Sequence, residues 1–528
     1  MDLNYLLLWL VSFSCIVFTI QISRFPRSQS LGWMVVSASV LAFTGIAYYF
    51  SPTQAGWIGS LVWSLFVVLP LLTFKQIDRL VAQERYAQAR WIASCIRWLH
   101  PADGWFQHPA LLRALEMAQQ GEIERAKLLL NRYRSNSTPI GRSAMAFLYR
   151  MGANWQELLL WLQHNFSEKT LLEDASLVSF YVRALGELGD LNGLLQALEQ
   201  AERKLEQAGS SRTLNLLRMF ALAFGGQPQP VQYLFDTSLS QYSLSIRQFW
   251  LATAELAAGN EAVGRQQLEM LQHRGNAGLN RAIAWRLSRP PLVPNRILTD
   301  RSKQILSRIP NVLDREARNK RTLFSNQTAY ATYGLIAINL LVFGFEVALG
   351  GSQNPHVLAH MGALAPGLVI DFGQWHLLLT SIFLHAGALH LSMNMMGLYF
   401  FGNIVENALG RGRYLLLYFI SGIGSMLTLV GLVAINHLPV QITVVGASGA
   451  IMGLLGAIGA ILLWDWRRHK SRVAAKRLRT VLFIVVLQTV FDLVTPQVSL
   501  ESHLSGLIIG FLFSNLLLWV WPKKMNPA

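Results

Sequence analysis

The stretch Val445–Ala457 constrains the fold of this chain more than any other. It opens an apolar run that continues to Trp464, which is long enough for a membrane-spanning helix at about 1.5 Å per residue. Three of its glycines repeat at helical spacing and share one face: Gly449, Gly453 and Gly456. Bare backbone along such a face lets another helix approach closely. We therefore expect a membrane helix that packs tightly against a second one.

One serine, Ser448, lies in the first turn of this helix. The simplest interpretation is a serine that bonds back to its own helix, which is common in membrane helices. The last apolar run, Glu501–Trp521, favours a second interpretation because His503, Gly506 and Gly510 share one helical face. A histidine inside a bilayer is costly and usually functional. Two glycine-lined helices that pack together would make these two polar residues a nucleophile and its general base.

The composition indicates a membrane protein that carries a soluble portion. Of the 528 residues, 52% are hydrophobic and only 14% are charged. The net charge of +16 does not indicate nucleic acid, because segments Arg296–Arg321 and Arg467–Arg479 carry +5 and +7 and flank apolar runs. This is the positive-inside pattern of membrane proteins. Cys15 and Cys95 provide neither a disulfide framework nor a metal cluster, and we expect no metal and no cofactor.

The order of apolar and polar stretches divides the chain into four predicted parts. Residues 1–75 are predicted to form three transmembrane helices, 76–289 cytoplasmic helical repeats, 290–328 a basic, partly amphipathic linker on the cytoplasmic leaflet, and 329–522 a six-span membrane domain. The nine predicted spans are Tyr5–Ile22, Leu31–Phe50, Trp57–Phe74, Tyr330–Ala348, Ala388–Val405, Tyr414–Ile435, Thr443–Trp464, Val481–Pro496 and Ser502–Trp521. The predicted fold class is thus all-α and polytopic. We expect a bacterial plasma membrane, with the N-terminus outside and the C-terminus in the cytoplasm.

The polar region between the two sets of spans has a repeat of small-residue breaks. Its glycines recur at intervals of 31, 37, 37 and 33 residues: Gly121, Gly152, Gly189, Gly226 and Gly259. Most lie between two apolar helical segments, and a helix–turn–helix period near 34 residues resembles that of tetratricopeptide repeats. An unrelated helical bundle is the alternative. Under either interpretation we expect this region to bind a cytoplasmic protein partner and to do no chemistry.

A series of residue blocks over about residues 329–521 resembles the rhomboid family of intramembrane serine proteases. The blocks are, in chain order, Gly362–Pro366, His385–Asn394, Phe401–Gly410, Gly446–Gly449 and His503–Gly506. The block His385–Asn394 is similar to the family's HxxxxHxxxN signature, Gly446–Gly449 to its GxSG motif and His503–Gly506 to its HxxG motif. The resemblance implies a six-helix rhomboid core within the bilayer and a transmembrane protein as substrate.

The resemblance also implies the mechanism and the site residues. His503 is expected to remove the proton from Ser448, whose oxygen attacks a peptide carbonyl. The oxyanion would be stabilised at the helix N-terminus, at Gly449, and by the side chains of His390 and Asn394, which lie at i and i+4 on one helical face. The substrate helix must unwind to present an extended bond, and small, helix-weakening residues near its outer end are the family expectation.

Other polar residues near the site receive other interpretations. Asp492 and Glu501 are close to the histidine in sequence, but neither is in helical register to orient it. The resemblance to the rhomboid family implies a dyad and not a triad. His385 is expected to brace the outer loop by hydrogen bonds, and Glu406 to be structural and tied to a neighbouring loop. The loop departs from the family at His376, where an arginine is usual, which leaves its usual charge contacts in question.

Two other classes of function fit parts of the sequence. A catalytically inactive rhomboid-like scaffold would bind transmembrane clients without cutting them, and the loss of Ser448 or His503 would mark it, yet both residues are present. A membrane-anchored scaffold that works through its repeats gives no reason for a polar constellation inside the membrane. A metal-dependent intramembrane protease is excluded on motif grounds, because no HExxH occurs within the spans.

Overall fold

The structure is a computed structural model that describes residues 3–22, 27–100, 104–133, 139–207, 210–272, 276–290, 292–323, 328–469, 472–495 and 498–520. Regular secondary structure in these ranges is helical, with one isolated antiparallel bridge between Leu364 and Val444. This confirms the predicted all-α class. The chain divides into two compact units, Asn4–Asp314 and the residues from Arg315 onward, which are described separately.

The first unit begins with long apolar helices. They are α1 (Leu3–Ile22), α2 (Arg27–Phe50), α3 (Ala55–Trp63) and α4 (Leu69–Ala82), and a π-helical turn, Ser64–Val68, joins the last two. The Asn4 side chain ties α1 to the turn that follows α2. Its amide donates to the carbonyl of Pro52 at 2.7 Å, and its oxygen accepts from the N–H of Gly56 at 2.7 Å. These bonds satisfy polar groups that apolar surroundings would otherwise leave unpaired.

The rest of the first unit is an array of shorter helices. They are α5 (Tyr86–Ile96), α6 (His108–Gln119), α7 (Ile123–Asn131), α8 (Pro139–Met151), α9 (Trp155–Asn165), α10 (Glu168–Glu173), α11 (Ala175–Leu188), α12 (Leu191–Gln207), α13 (Ser211–Phe224), α14 (Pro228–Asp236), α15 (Leu244–Ala257), α16 (Glu261–Gln272), α17 (Ala277–Leu287), α18 (Pro294–Ile297) and α19 (Asp300–Leu323). Each glycine of the predicted repeat lies in a break between two consecutive helices. Four of them have positive φ, the conformation that glycine adopts without strain: Gly121, Gly189, Gly226 and Gly259. The relationship to tetratricopeptide repeats remains a prediction.

Helix α19 crosses the boundary between the two units, and its part up to Asp314 belongs to the core of this array. Ile305, Leu306, Ile309 and Leu313 are buried in it. Their spacing places them on one side of a helix, which explains why the segment packs although it is basic overall. Part of the stretch predicted as a linker is therefore a packed helix.

A buried ionic cluster lies inside the array. Glu187 pairs with Arg183 at 3.3 Å and with Arg286 at 2.7 Å, and its side chain is 1% exposed. Burial lowers the pKa of Arg183 to about 10. Because one carboxylate serves two guanidinium groups, its removal would leave two buried cations without their partner.

The second unit contains the membrane helices of the predicted rhomboid core. Its elements are α20 (Tyr330–Ala348), α21 (Pro355–His360), α22 (Pro366–Phe372), α23 (Leu377–Thr380), α24 (Ala388–Gly397), α25 (Asn403–Leu409), α26 (Arg411–Ala434), α27 (Ser448–His469), α28 (Arg472–Val494) and α29 (Leu500–Val520). A 3₁₀ turn, Ser381–Phe383, follows α23, and a π-helical turn, Leu398–Gly402, joins α24 to α25. On α20, Leu341 and Phe345 are exposed whereas Asn339 and Glu346 are buried. Apolar side chains thus face outward, as lipid requires, and polar ones face the bundle.

Seven helices in the described ranges are long and apolar enough to cross a membrane, and the bent pair Leu377–Phe383 and Ala388–Leu409 raises the count to eight. The chain is therefore a polytopic membrane protein. The predicted nine spans also include α28, whose first turns are rich in basic residues. The number of nine spans and the orientation remain predictions. Residues on which the predicted orientation rests lie outside the described ranges: Met1, Arg24, Lys523, Lys524 and Ala528.

Candidate active site

Backbone hydrogen bonds fix the loop that leads into α27, of which Ser448 is the first residue. Val444 and Leu364 exchange hydrogen bonds at 2.9 and 3.0 Å, and the Gly446 N–H donates to the carbonyl of Ser381 at 2.9 Å. Gly446 has a φ of +127°, which residues with a Cβ rarely adopt. The loop can therefore turn sharply into the helix and present the serine at its N-terminus.

The glycines of α27 and α29 meet backbone to backbone, as predicted. A Cβ on Gly506 would touch the carbonyl oxygen of Gly449, and a Cβ on Gly510 would touch that of Gly453. The two pairs follow the same order along both helices, so α27 and α29 run parallel. We call this contact the glycine seam, and it consists of Gly449, Gly453, Gly456, Gly506 and Gly510.

The glycine seam places Ser448 and His503 on adjoining helices at the same level. The hydroxyl oxygen of Ser502 lies 3.1 Å from the position that a Cβ on Gly449 would take. The backbone of Gly449 also lies against Gly506. Ser448 precedes this glycine, and the buried His503 follows Ser502. In the described part of the chain no hydrogen bond joins Ser448 to His503. Such bonds are often long or poorly aligned before substrate binds.

The two predicted side-chain donors lie on α24. Atoms Cε1 and Nε2 of His390 are 2.8 and 3.0 Å from the position of a Cβ on Gly446, and the Ser448 hydroxyl oxygen is 3.8 Å from the same point. The imidazole and the hydroxyl therefore share the space beside this glycine. Asn394 is buried one turn further along α24, and its amide donates to the carbonyl of His390 at 3.0 Å. Since an amide has two N–H groups, one remains for another acceptor.

The remaining predicted donor, Gly449, lies in the first turn of α27. The first helical hydrogen bond of α27 runs from the N–H of Ile451 to the carbonyl of Ala447 at 3.0 Å. The N–H groups before Ile451 have no carbonyl within the helix to accept from them. Together with the positive end of the helix dipole, they favour an anion beside Ser448.

An acidic residue contacts His503, so the expectation that no acid is in a position to orient it is wrong. Oδ2 of Asp492 lies 2.8 Å from Nδ1 of His503, and the Asp492 side chain is 1% exposed. Helical register relates residues on one helix only. Asp492 lies near the end of α28, and that end lies beside the start of α29. The sequence contained a signal, because a carboxylate within an apolar run usually has a partner inside the bundle. The other candidate, Glu501, accepts a hydrogen bond from Ser499 at 3.1 Å.

Glu406 is structural, as predicted, but among the described residues it caps the N-terminus of α20 and is not tied to a neighbouring loop. It accepts hydrogen bonds from the N–H of Ala331 at 3.0 Å, and from the N–H and hydroxyl of Thr332 at 2.8 Å each. These bonds satisfy N–H groups that have no partner within the helix. Glu406 thereby ties the end of one helix to the start of another.

His385 is buried in the loop that precedes α24. Its backbone N–H donates to the carboxylate of Glu346 on α20 at 2.8 Å, and its ring lies 5.3 Å from that of His390. Its side-chain Nδ1 lies 3.2 Å from the carbonyl of Phe383, so the imidazole contacts the loop, as expected, whereas the bond to α20 is made by the backbone. The sequence reasoning did not single out Glu346, although it is an acid within an apolar run. His376, at the position where an arginine is usual, is exposed.

Fold and site together define a polytopic helical membrane protein with a polar cluster at the N-terminal ends of α27 and α29. The sequence model of a protein family, the Rhomboid domain, matches residues 372–520. The rhomboid protease GluP of Bacillus subtilis is 32% identical over 199 residues, which cover 38% of this chain and 37% of the relative. RHOMBOID-like protein 6, mitochondrial, of Arabidopsis thaliana is 36% identical over 171 residues, covering 32% of this chain and 52% of the relative.

A shorter relative is matched over most of its length and therefore shows the family of this chain. The rhomboid-family protein YdcA of Bacillus subtilis is 33% identical over 145 residues, which cover 27% of this chain and 68% of the relative. The chain therefore belongs to the rhomboid family. It spans about a third to a half of the length of the first relatives that it matches. No solved structure matches the chain significantly.

Proposed function

We propose that this protein is an intramembrane serine endopeptidase that cuts transmembrane protein substrates. The observation that carries the proposal is the glycine seam, which holds Ser448 and His503 at one level of two parallel helices. A serine bonded back to its own helix would need no such partner. The family and the names of several relatives, among them a rhomboid protease, support the same activity.

The proposed reaction begins when His503 removes the proton of Ser448 and the serine oxygen attacks the peptide carbonyl. The carbonyl oxygen becomes an oxyanion, which accepts hydrogen bonds from the N–H of Gly449 and from His390 and Asn394. His503 then gives its proton to the leaving amine. Water hydrolyses the acyl-enzyme by the same steps and releases Ser448.

The substrate proposed is another membrane protein whose helix unwinds near its outer end. A helical peptide bond is shielded by its own hydrogen bonds, so the segment that reaches Ser448 must be extended. Helix-weakening residues lower the cost of that change, since glycine and proline destabilise a helix by about 1 and 3 kcal/mol. Water must also reach the site, through outer-loop groups such as the exposed Trp375 and His376.

Labelling with a serine-directed fluorophosphonate tests the proposal. Purified protein in liposomes should react with the probe and cleave a transmembrane reporter, and Ser448→Ala and His503→Ala should abolish both. Ser505→Ala is the matched control, because its hydroxyl donates to the carbonyl of Glu501 on its own helix at 2.6 Å. Wild-type protein that binds the reporter but neither labels nor cleaves would favour the inactive client-binding scaffold.

We also propose that the helical array α5–α17 recruits a cytoplasmic protein partner or substrate. The candidate catalytic residues all lie after residue 385, so the array can contribute to binding but not to bond cleavage. A chain that begins near residue 319 should therefore keep its kcat on a permissive reporter while KM for the native substrate rises, which is the result of losing uniform binding energy. A truncated chain that folds but does not label would contradict this division of roles.

A further inference from the structure

The contact between Asp492 and His503 has a consequence for the chemistry. We infer that Asp492 is a positioning residue for His503, so that the site is a Ser-His-Asp arrangement where the family resemblance implies a dyad. The inference rests on the proposed function, since it concerns how His503 acts as a base. It assigns a role to a buried acid that the proposed reaction does not otherwise use.

Both oxygens of the Asp492 carboxyl group lie within hydrogen-bond distance of a partner. Oδ1 accepts from the side-chain amide of Gln488 at 2.8 Å, and Oδ2 lies 2.8 Å from Nδ1 of His503. An ionised carboxylate can only accept, whereas a neutral acid has one O–H that must donate. When Asp492 is ionised, both of its oxygens accept and Nδ1 of His503 carries the proton. This is the state that we infer.

This choice of nitrogen decides whether His503 can act as a base. A neutral imidazole carries one proton, so a proton on Nδ1 leaves Nε2 as an acceptor. Without an acceptor at Nδ1 the proton can move to Nε2, and that nitrogen could then no longer take the proton of Ser448. Asp492 thus selects the reactive tautomer and also fixes the orientation of the ring.

The carboxylate also stabilises the charge that forms during the reaction. When the O–H bond of Ser448 breaks, the proton forms an N–H bond at Nε2 of His503 and the oxygen forms its bond to the substrate carbon. The imidazolium that results lies against the Asp492 anion, which stays ionised throughout. The proton later leaves with the amine, so Asp492 takes part in no net proton transfer.

A purely structural role is the competing interpretation, in which Asp492 only ties α28 to α29. An acid inside a membrane domain is costly, and the hydrogen bond to Gln488 lies within its own helix. A structural tie would affect folding and stability but would not depend on which nitrogen of His503 carries the proton. The tautomer of His503 and the separation of kcat from KM therefore distinguish the two roles.

The test compares Asp492→Asn with Thr489→Val in full-length protein in liposomes. We expect Asp492→Asn to lower kcat by at least about a hundredfold with KM within about threefold, since it removes acid–base catalysis by His503, which contributes on the order of 10²–10⁴. Its fluorophosphonate labelling rate should fall in proportion. Thr489→Val should stay within about twofold of wild type, because its hydroxyl only bonds back to the carbonyl of Val485 at 2.9 Å.

Nitrogen NMR of ¹⁵N-histidine-labelled protein provides a second measurement, which reads the tautomer of His503 directly and does not depend on enzyme activity. The neutral His503 of wild type should carry its proton on Nδ1, with His503→Ala used to assign the signal. A proton on Nε2 in wild type, or a folded Asp492→Asn variant with unchanged kcat, would overturn the inference while the protease proposal stood. Wild-type protein that neither labels nor cleaves would instead refute the proposed function itself.

Discussion

Replacing Gly506 by alanine tests whether the glycine seam sets the distance between the two candidate catalytic groups. The added methyl would contact the backbone of Gly449, with the carbonyl carbon at 2.8 Å and Cα at 3.1 Å from the new Cβ. These atoms belong to the main chain and cannot rotate away. The helices α27 and α29 must therefore separate locally.

The size of the separation follows from ordinary contact distances. Non-bonded carbon atoms prefer about 3.5–4.0 Å, so α29 must move by at least about 0.5 Å. His503 lies on the same face one turn earlier and moves with α29, while Ser448 stays with α27. A misplacement of about 1 Å can cost on the order of a hundredfold in rate. We expect kcat/KM to fall by at least about tenfold, which is about 1.4 kcal/mol of barrier.

Initial rates of reporter cleavage in liposomes measure the effect. Gly459→Ala on α27 is the control, because its Cβ would lie 3.8 Å from the side chains of Phe511 and Val481, an ordinary contact. It should retain activity within about twofold. If Gly506→Ala cleaves as fast as Gly459→Ala while both fold, the seam does not control the distance between Ser448 and His503.

Further predictions concern orientation and the helical array. Reporter fusions at residues 1, 200 and 528 should report outside, cytoplasm and cytoplasm, and a cytoplasmic N-terminus would show that the first three spans are miscounted. Glu187→Leu should destabilise the array by about 3–5 kcal/mol because Arg183 and Arg286 lose their buried partner, whereas Glu199→Gln, in an exposed pair, should cost about 1 kcal/mol or less by thermal unfolding. Burial lowers the pKa of His108 from 6.5 to about 4. The unfolded chain then binds a proton that the folded chain excludes, so the unfolding temperature should fall as the pH drops from 6.5 toward 4, and His108→Gln should flatten this dependence.

Features that depend on spacing along one helix could be predicted from the sequence. The faces of Gly449 and Gly506 follow from residue periodicity alone, and the structure places them in contact. The breaks at the repeat glycines follow from local conformational preference, because four of the five require positive φ. The resemblance to family motifs, and not residue spacing, predicted that His390 lies near Ser448 beside Gly446.

Features that depend on how two helices adjoin could not be predicted in the same way. The contact of Asp492 with His503 depends on how the end of α28 lies beside the start of α29, and residue numbers alone do not specify that. The packing of Ile305 and Leu313 into the array could not be predicted for a similar reason. A basic segment with an apolar face can lie on an anionic leaflet or pack against other helices, and the spacing of its residues does not distinguish the two.

The glycine seam also determines from which side another chain can reach Ser448. Carbonyl groups of α27 lie directly against the backbone of α29, so no lipid chain or peptide fits between these two helices at this depth. A membrane-embedded segment that approaches Ser448 must enter through a different side of the second unit. The contact that fixes the two polar side chains therefore also restricts the direction of lateral access from the bilayer.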